Sequence, residues 1–207
     1  MGRDLVLRSA AFQACFLLAT SVAARTSAAA AGAHQVVYQL WAFLALVLDS
    51  LAIAAQSLVG AALGSDQPAA ARSLAWQITR YGLALGITLG LIFAAVEPVL
   101  PGVFTTDAEV LAEIPHAWWF FVALQPVAGV VFALDGVLLG AGDAAFLRTA
   151  TLLSALVGFL PLVWVSLAFG WGLMGIWSGL AAFMLLRLGA VVARTRGGAW
   201  AVSGAAR

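Results

Sequence analysis

The chain has 207 residues, of which 64% are hydrophobic and only 9% are charged. Soluble domains carry about 25% charged residues, so this chain has too little polar surface to face water. Its mean hydropathy of +1.05 agrees. The formal net charge is +1 and no basic stripe is present, so we expect no nucleic-acid partner. The composition predicts an integral membrane protein.

Six apolar stretches are each long enough to cross a membrane as a helix, which takes about 20 residues. They occupy residues 5–24, 34–63, 77–96, 115–138, 146–168 and 171–192. Transmembrane strands would alternate polar and apolar residues, and these stretches do not. We therefore predict an all-α membrane protein in which residues 1–207 form a single six-span lobe. The first stretch has an alternative interpretation as a cleaved signal peptide, because Arg3 and Arg8 lie before its most apolar part.

The arginines predict the orientation of the spans. Lysine is absent, so the ten basic residues are all arginine. A chain with six spans has both termini on the same side of the membrane. Cytoplasmic termini place nine of the ten arginines on or near the inner face and leave only Arg25 outside, as the positive-inside rule requires. Arg8, Arg80 and Arg187 lie near predicted span ends, from which long side chains can reach the interface. We predict a multi-pass protein of the cell membrane (inner or plasma) with both termini cytoplasmic.

Two aspartates lie deep inside apolar runs. Asp49 is the one charged residue in the run 36–63, and Asp135 is the one charged residue in the run 117–142. A carboxylate at the centre of a membrane helix costs about 2.5–3.5 kcal/mol on insertion scales, and such groups usually mark an ion or substrate pathway. The structural alternative is a buried carboxyl group that is protonated or hydrogen-bonded to a neighbouring helix. The two aspartates favour a transporter.

Amides accompany Asp49 on one side of its predicted helix. With about 100° between successive residues, Gln56 lies about 20° from Asp49, Gln35 about 40° and Gln39 about 80°. Lipid cannot satisfy amide groups, so this side should face a cavity or other helices. The candidates for lining a cavity or coupling transport to an ion are Asp49, Gln56, Gln125, Asp135, Gln35 and Gln39.

Two prolines are candidate hinges. Pro126 lies in the predicted span that contains Asp135, and Pro161 lies in the next span. Proline removes an intrahelical hydrogen bond and tends to kink a helix. Bent or broken helices are common where transporters bind substrate or rock. No His, Cys or acidic cluster has metal-ligand spacing, so we expect neither a metal nor a cofactor.

Three segments resemble the C-terminal half of the MATE family of multidrug and toxic-compound extruders, in its DinF-like branch. The first has AHQV at 33–36, Asp49, and AIAAQSLVG at 52–60. The second has QP at 125–126 and DGVLLGAGD at 135–143, and the third has GLMGIWSG at 172–179. Their order and spacing are similar to those of the second, fourth and final helices of that half.

The resemblance implies a transporter of two six-helix lobes facing each other across a central cavity, with this chain as the C-terminal lobe and the N-terminal lobe absent. It implies export of organic or cationic amphipathic compounds in exchange for protons or sodium. The implied partners are a drug or metabolite, the coupling ion, the lipid bilayer and a complementary N-terminal six-span lobe. Two acidic residues of the sodium-coupled branch are missing. The first belongs to the first helix of that half, and residues 5–24 contain no acid. The second belongs to the fourth helix, where this chain has Ala128 and Gly129.

Two other hypotheses remain at this point. The chain could be a non-transporting membrane scaffold or a degenerate fragment of such a transporter, which predicts that no complementary lobe exists. It could also be an intramembrane aspartyl protease, which would require Asp49 and Asp135 to approach closely and share a proton. Nothing beyond the two aspartates supports the protease, so we expect no enzymatic activity.

Overall fold

The computed structural model describes residues 2–202, which form long helices joined by short turns. The helices are α1 (Gly2–Thr26), α2 (Ala28–Gly64), α3 (Pro68–Val96), the one-turn α4 (Pro101–Phe104), α5 (Ala108–Gly140), α6 (Ala144–Ser154), α7 (Leu160–Phe169) and α8 (Gly172–Arg196). A π-helical turn, Ala155–Phe159, joins α6 and α7 into one continuous helix. No strand occurs within residues 2–202.

Six helices are long and apolar enough to cross a membrane, which confirms the predicted all-α membrane fold. Several begin before the apolar runs do, because polar residues start them. The Ser27 side chain accepts a backbone N–H at the start of α2, and Asp107 does the same for α5. Pro68 begins α3, where its missing N–H leaves no hydrogen bond unmade. Hydropathy does not register such capping residues.

Helix α5 lies at the centre of the helix bundle. It packs against α2, α3 and α8, and its residues 131–138 are all buried. Gly129 meets Gly82 of α3, and Gly136 meets Ala52 of α2, so closely that a Cβ atom on either α5 glycine would collide with the facing carbonyl oxygen. Small residues let membrane helices approach in this way. The position of α5 brings Asp135 into the interior of the lobe.

The outward-facing surface of the bundle is apolar. Leu91, Val157 and Trp164 expose 67%, 65% and 69% of their surface. Large aliphatic and aromatic side chains in such positions would be costly in water, whereas lipid tails are as apolar as they are. The backbone of each spanning segment is helical and satisfies its own hydrogen bonds, as a bilayer requires. The chain is a multi-pass membrane protein.

Candidate functional site

Asp135 is the centre of a buried charge cluster. Its side chain is only 3% exposed, and its Oδ2 atom lies 2.5 Å from Arg187 Nη2 and 3.3 Å from Arg8 Nη2. Its Oδ1 atom is also buried and has no hydrogen-bond partner among residues 2–202. Three helices supply this cluster, because Arg8 comes from α1, Asp135 from α5 and Arg187 from α8. The carboxylate is therefore paired with cations through one of its two oxygens.

Arg187 does not reach the membrane interface as its sequence position predicts. Helix α8 continues to Arg196, so residue 187 is more than two turns from its end, and its side chain is only 2% exposed. The guanidinium carbon lies 5.5 Å from the ring centroid of Phe12 and 5.7 Å from that of Phe183. The two rings and Asp135 offset part of the cost of removing this cation from water. Arg8 likewise points inward, although its side chain is 21% exposed.

A cavity of about 380 Å³ opens beside the charge cluster. Its walls come from α1, α2, α5 and α8, and four ionisable side chains face it, namely Arg8, Asp49, Asp135 and Arg187. Five aromatic side chains form much of the remaining wall, namely Phe12, Phe16, Tyr38, Trp41 and Phe132. Ligand sites are commonly clefts of about 300–1,000 Å³ with apolar walls and a few polar groups, and this cavity fits that description.

The cavity contains two of the six residues predicted from the sequence, Asp49 and Asp135. Asp49 is exposed, and its charge interacts with those of Arg8 and Asp135. Ala42, which shares the Asp49 side of α2, also lines the cavity. The two carboxylates therefore belong to one site, which they share with Arg8 and Arg187.

The four glutamines lie outside this cavity. Gln35, Gln39 and Gln56 are exposed on α2. Gln125 is buried on α5, where its amide nitrogen donates to the carbonyl oxygen of Phe121 at 3.1 Å. Its Oε1 atom is buried and meets no hydrogen-bond donor from the described residues. The backbone of Gln125 closely approaches Gly86 of α3, so this residue belongs to the contact between those helices.

The two candidate hinge prolines occupy different surroundings. Pro126 is half-buried on α5, where its Cα atom lies against Gly86 of α3. Pro161 is exposed and comes directly after the π-helical turn. Prolines and π-helical turns are both common causes of bends in long helices. A hinge role for either residue stays a prediction.

The sequence also contains a signal for the pairing of the two arginines. Arg8 and Arg187 lie inside the predicted spans 5–24 and 171–192, which makes them as unusual as Asp49 and Asp135. Ionised residues within membrane helices usually pair with one another. The presence of two acids and two arginines inside the spans therefore predicts that these residues pair with one another. Proximity to a span end, considered alone, predicts instead that an arginine side chain extends to the membrane interface.

Two further ion pairs connect the start of α6 to α1 and α8. Arg148 of α6 pairs with Asp4 of α1. Arg194 of α8 pairs with Asp143, which precedes α6, at 2.7 Å, and its guanidinium carbon lies 5.2 Å from the ring centroid of Phe146. Neither pair lines the cavity. These contacts hold α1, α6 and α8 together at the end of the bundle where α1 begins.

Six apolar helices that enclose paired charges beside an aromatic cavity define a polytopic membrane protein of the transporter class. Charged residues facing the interior of a bundle are typical of proteins that move ions or solutes across a membrane. The family comparison makes this specific. The chain belongs to the MatE family, whose model matches residues 5–165, and the resemblance predicted from the sequence is confirmed.

Individual relatives agree with this assignment. The chain is 37% identical to Protein DETOXIFICATION 44, chloroplastic, of Arabidopsis thaliana, over 96% of this chain and 38% of that protein. It is 26% identical to mouse Multidrug and toxin extrusion protein 2, over 80% of this chain and 29% of that protein. It is 25% identical to DNA damage-inducible protein F of Escherichia coli K12, over 90% of this chain and 40% of that protein. The chain spans less than half the length of these relatives.

Proposed function

We propose that this chain is one six-helix lobe of a MATE-type multidrug antiporter. The lobe binds organic or cationic amphipathic compounds and exports them in exchange for protons or sodium. The observation that carries the proposal is the cavity of about 380 Å³, in which Asp49 and Asp135 lie beside two arginines and an aromatic wall. Membership of the MatE family supports the same conclusion.

The chemistry of the cavity suits an amphipathic cation. Aromatic faces such as those of Phe12, Tyr38 and Trp41 attract organic cations through their ring quadrupoles, and they also bury the apolar part of the compound. Asp49 is exposed toward the cavity and has no ion pair among the residues the structure describes. An entering cation therefore has both an apolar surface and a carboxylate to contact.

Protonation of Asp135 supplies a mechanism for coupling. The carboxylate separates the positive charges of Arg8 and Arg187, which belong to α1 and α8. A proton on Asp135 would leave those guanidinium groups without their counter-charge, and their repulsion would favour a state in which the two helices have moved apart. A ligand or proton shifts a conformational equilibrium only through such a difference between states. The lobe then alternates access by changing which arrangement is favoured.

A complementary six-span lobe is the proposed partner. The exposed amides of Gln35, Gln39 and Gln56 lie on α2, where lipid would leave them unsatisfied. A second lobe facing this side of α2 would cover them and close the cavity. We place the assembly in the cell membrane with both termini of this chain cytoplasmic, as the distribution of arginines favours.

Replacement of Asp135 tests the proposal. The Asp135→Asn variant keeps the shape of the side chain but cannot carry the charge. In cells that express the chain with its complementary lobe, we expect efflux of ethidium to fall about tenfold, equivalent to about 1.4 kcal/mol, and to lose its dependence on external pH. Fluorescence of cells loaded with ethidium measures both quantities.

Asp143→Asn is the matched control. It also removes an acid from an ion pair between helices, with Arg194, but it does so outside the cavity. We expect efflux and its pH response to survive this change once protein levels are equalised. Unchanged efflux and pH response in Asp135→Asn would remove Asp135 from the mechanism. Absence of efflux from the unmodified assembly would favour a scaffold instead.

A further inference from the structure

We infer that the guanidinium group of Arg8 is a resident cation, meaning one that neutralises Asp135 until a ligand arrives. A monovalent organic cation then displaces it on binding. This inference rests on the proposed function, because it concerns the same cavity. It adds a specificity-determining residue, and it defines the preferred ligand as an aromatic cation with a single positive charge. The contrast between the two arginines is the starting point.

Arg187 is held in place, whereas Arg8 is held loosely. Arg187 is buried, lies 2.5 Å from Asp135 Oδ2 and packs against two aromatic rings that contact each other. Arg8 lies 3.3 Å from the same oxygen, which is longer than the roughly 2.7–2.9 Å of a charge-assisted hydrogen bond. The Arg8 side chain is 21% exposed and lines the cavity. Of the two cations, Arg8 is the one that can leave.

The carboxylate of Asp135 is incompletely satisfied. Both guanidinium groups approach Oδ2, whereas Oδ1 is buried without a hydrogen-bond partner in the part of the chain that the structure describes. An ionised carboxylate can accept hydrogen bonds at about four lone-pair positions, so this arrangement leaves acceptor capacity unused. A cation that replaced Arg8 could approach between the two oxygens and interact with both. The loss of Arg8 would then cost Asp135 little.

The charge balance of the cavity favours exchange of one cation for another. Arg8 and Arg187 offset Asp49 and Asp135, so the four groups sum to zero. Arginine does not lose its proton in proteins, so the site cannot rebalance by releasing one from Arg8. An added monovalent cation would leave an uncompensated positive charge in a site of low dielectric constant, which is costly. Departure of Arg8 restores neutrality.

Arg8 has a short route out of the site. It lies on the second turn of α1, which begins at Gly2, and part of its side chain already meets the open cavity. Long arginine side chains near helix ends reach the membrane interface readily. Once displaced, the Arg8 side chain therefore extends to the membrane interface, as its position near the end of a predicted span indicates. The aromatic wall then faces the bound cation.

Binding measurements on the full chain in lipid nanodiscs test this inference. The probes are benzyltrimethylammonium, which is a permanent aromatic cation, and benzenesulfonate, which is an aromatic anion of similar size. Removal of the resident cation in Arg8→Gln should tighten benzyltrimethylammonium binding about tenfold by calorimetry. Arg8→Lys retains the charge and should stay near the unmodified affinity. Arg3→Gln, which removes an exposed arginine outside the cavity, is the matched control and should change nothing.

Chemical modification of the unmodified chain gives a second test that needs no variant. Phenylglyoxal reacts with guanidinium groups, and peptide mass spectrometry reports its reaction at each arginine. Saturating benzyltrimethylammonium should accelerate modification of Arg8 and leave Arg187 unreactive. Slower modification of Arg8, or no change at either arginine, would overturn the inference.

The binding and transport experiments distinguish a wrong inference about Arg8 from a wrong proposed function. If Arg8→Gln abolishes binding of benzenesulfonate and leaves cation affinity unchanged, the cavity is an anion site and the inference is wrong. An absence of cation binding in both the unmodified chain and Arg8→Gln would also overturn it. A tighter cation site in a lobe that supports no efflux would retain the inference and refute the proposed function. Efflux that depends on Asp135, together with cation binding that Arg8→Gln does not change, would support the proposed function and refute the inference.

Discussion

The carboxylate of Asp135 lies between arginines of two other helices, so its charge is a tertiary feature of the lobe. The cluster contains two cations and one anion. A buried ion pair contributes little net stability by itself, because desolvation offsets the attraction. Removal of one partner has a much larger effect, since it leaves a charge without compensation. This asymmetry makes the cluster testable by substitution.

Arg187→Met should destabilise the lobe strongly. Methionine retains much of the volume, but it leaves Asp135 with Arg8 alone, and loss of a buried partner costs about 3–5 kcal/mol. Reversible unfolding in mixed detergent micelles measures the free energy of unfolding. The double variant Asp135→Asn with Arg187→Met should recover part of the loss, because the two residues interact directly.

The control for this substitution is Arg196→Met, an exposed position at the end of α8. It should change the free energy of unfolding by no more than about 0.5 kcal/mol. Equal destabilisation by Arg187→Met and by the double variant would contradict direct coupling of Arg187 to Asp135. The ion pair would then contribute nothing specific to the fold.

At the scale of the helices, α5 is positioned by backbone contacts rather than by interlocking large side chains. Gly129 and Gly136 allow α3 and α2 to approach along two sides of α5. Close approach also brings Cα–H groups near facing carbonyl oxygens, which adds weak attraction. Because α5 carries Asp135 and Phe132 into the cavity wall, its packing sets the geometry of the site.

Gly129→Ala should loosen the contact between α3 and α5. The added methyl group would collide with the carbonyl oxygen of Gly82, and overpacking of this kind costs about 1–3 kcal/mol. The matched control is Gly189→Ala on α8, where an added Cβ would meet no atom within 4 Å. That substitution should be neutral or stabilising by up to about 1 kcal/mol, because alanine is the better helix former.

Thermal unfolding in detergent compares the two glycine variants. The midpoint for Gly129→Ala should fall below that of the unmodified protein, and the midpoint for Gly189→Ala should not. If both variants unfold at the same temperature, the close approach of α3 and α5 does not limit stability. The position of Asp135 would then need another explanation.

The helices were predictable from the sequence because hydropathy is a local property. Each spanning helix contains a long apolar run, and its length alone identifies it. The sequence allowed Asp49 and Asp135 to share one cavity but did not require it. The pairing of Arg8 and Arg187 with Asp135 depends on how α1, α5 and α8 pack, and helical periodicity within one element carries no information about that.

The position of Gln56 outside the cavity beside Asp135 has the same origin. Its angle about α2 is within about 20° of Asp49, yet the two residues are seven positions apart. Seven residues correspond to about 10 Å along the helix axis, so a shared side does not place both in one cavity. Gln56 is exposed beside the close contact of its backbone with Gly140 of α5. Angular position predicts the face, whereas depth must come from the tertiary structure.

At the scale of the whole molecule, the ion pairs that contain arginine are concentrated toward one end of the bundle. The pairs Asp4–Arg148 and Asp143–Arg194 lie where α1 and α6 begin and α8 ends. Arg72 of α3 donates to the backbone carbonyl of Gly198 at 3.5 Å, which places the start of α3 near the same end. Positive charge at one end of all these helices predicts that this end faces the cytoplasm.

Cysteine labelling tests this orientation at the two ends of α3. Ser65 precedes α3 and Thr106 follows it, and both are exposed. In a background with Cys15→Ser, which removes the free cysteine of the chain, each position is replaced by cysteine in turn. A membrane-impermeant thiol reagent applied to intact cells should label Thr106→Cys. It should label Ser65→Cys only after the membrane is made permeable.

The two positions serve as controls for each other, because one helix separates them and a single orientation must explain both results. Labelling of Ser65→Cys but not Thr106→Cys in intact cells would invert the topology and place most arginines outside, against the positive-inside rule. Labelling of both from outside would mean that α3 does not cross the membrane. In the predicted orientation, Arg8 lies toward the cytoplasmic end of the lobe, so a cation entering the cavity from the cell meets the group that it must displace.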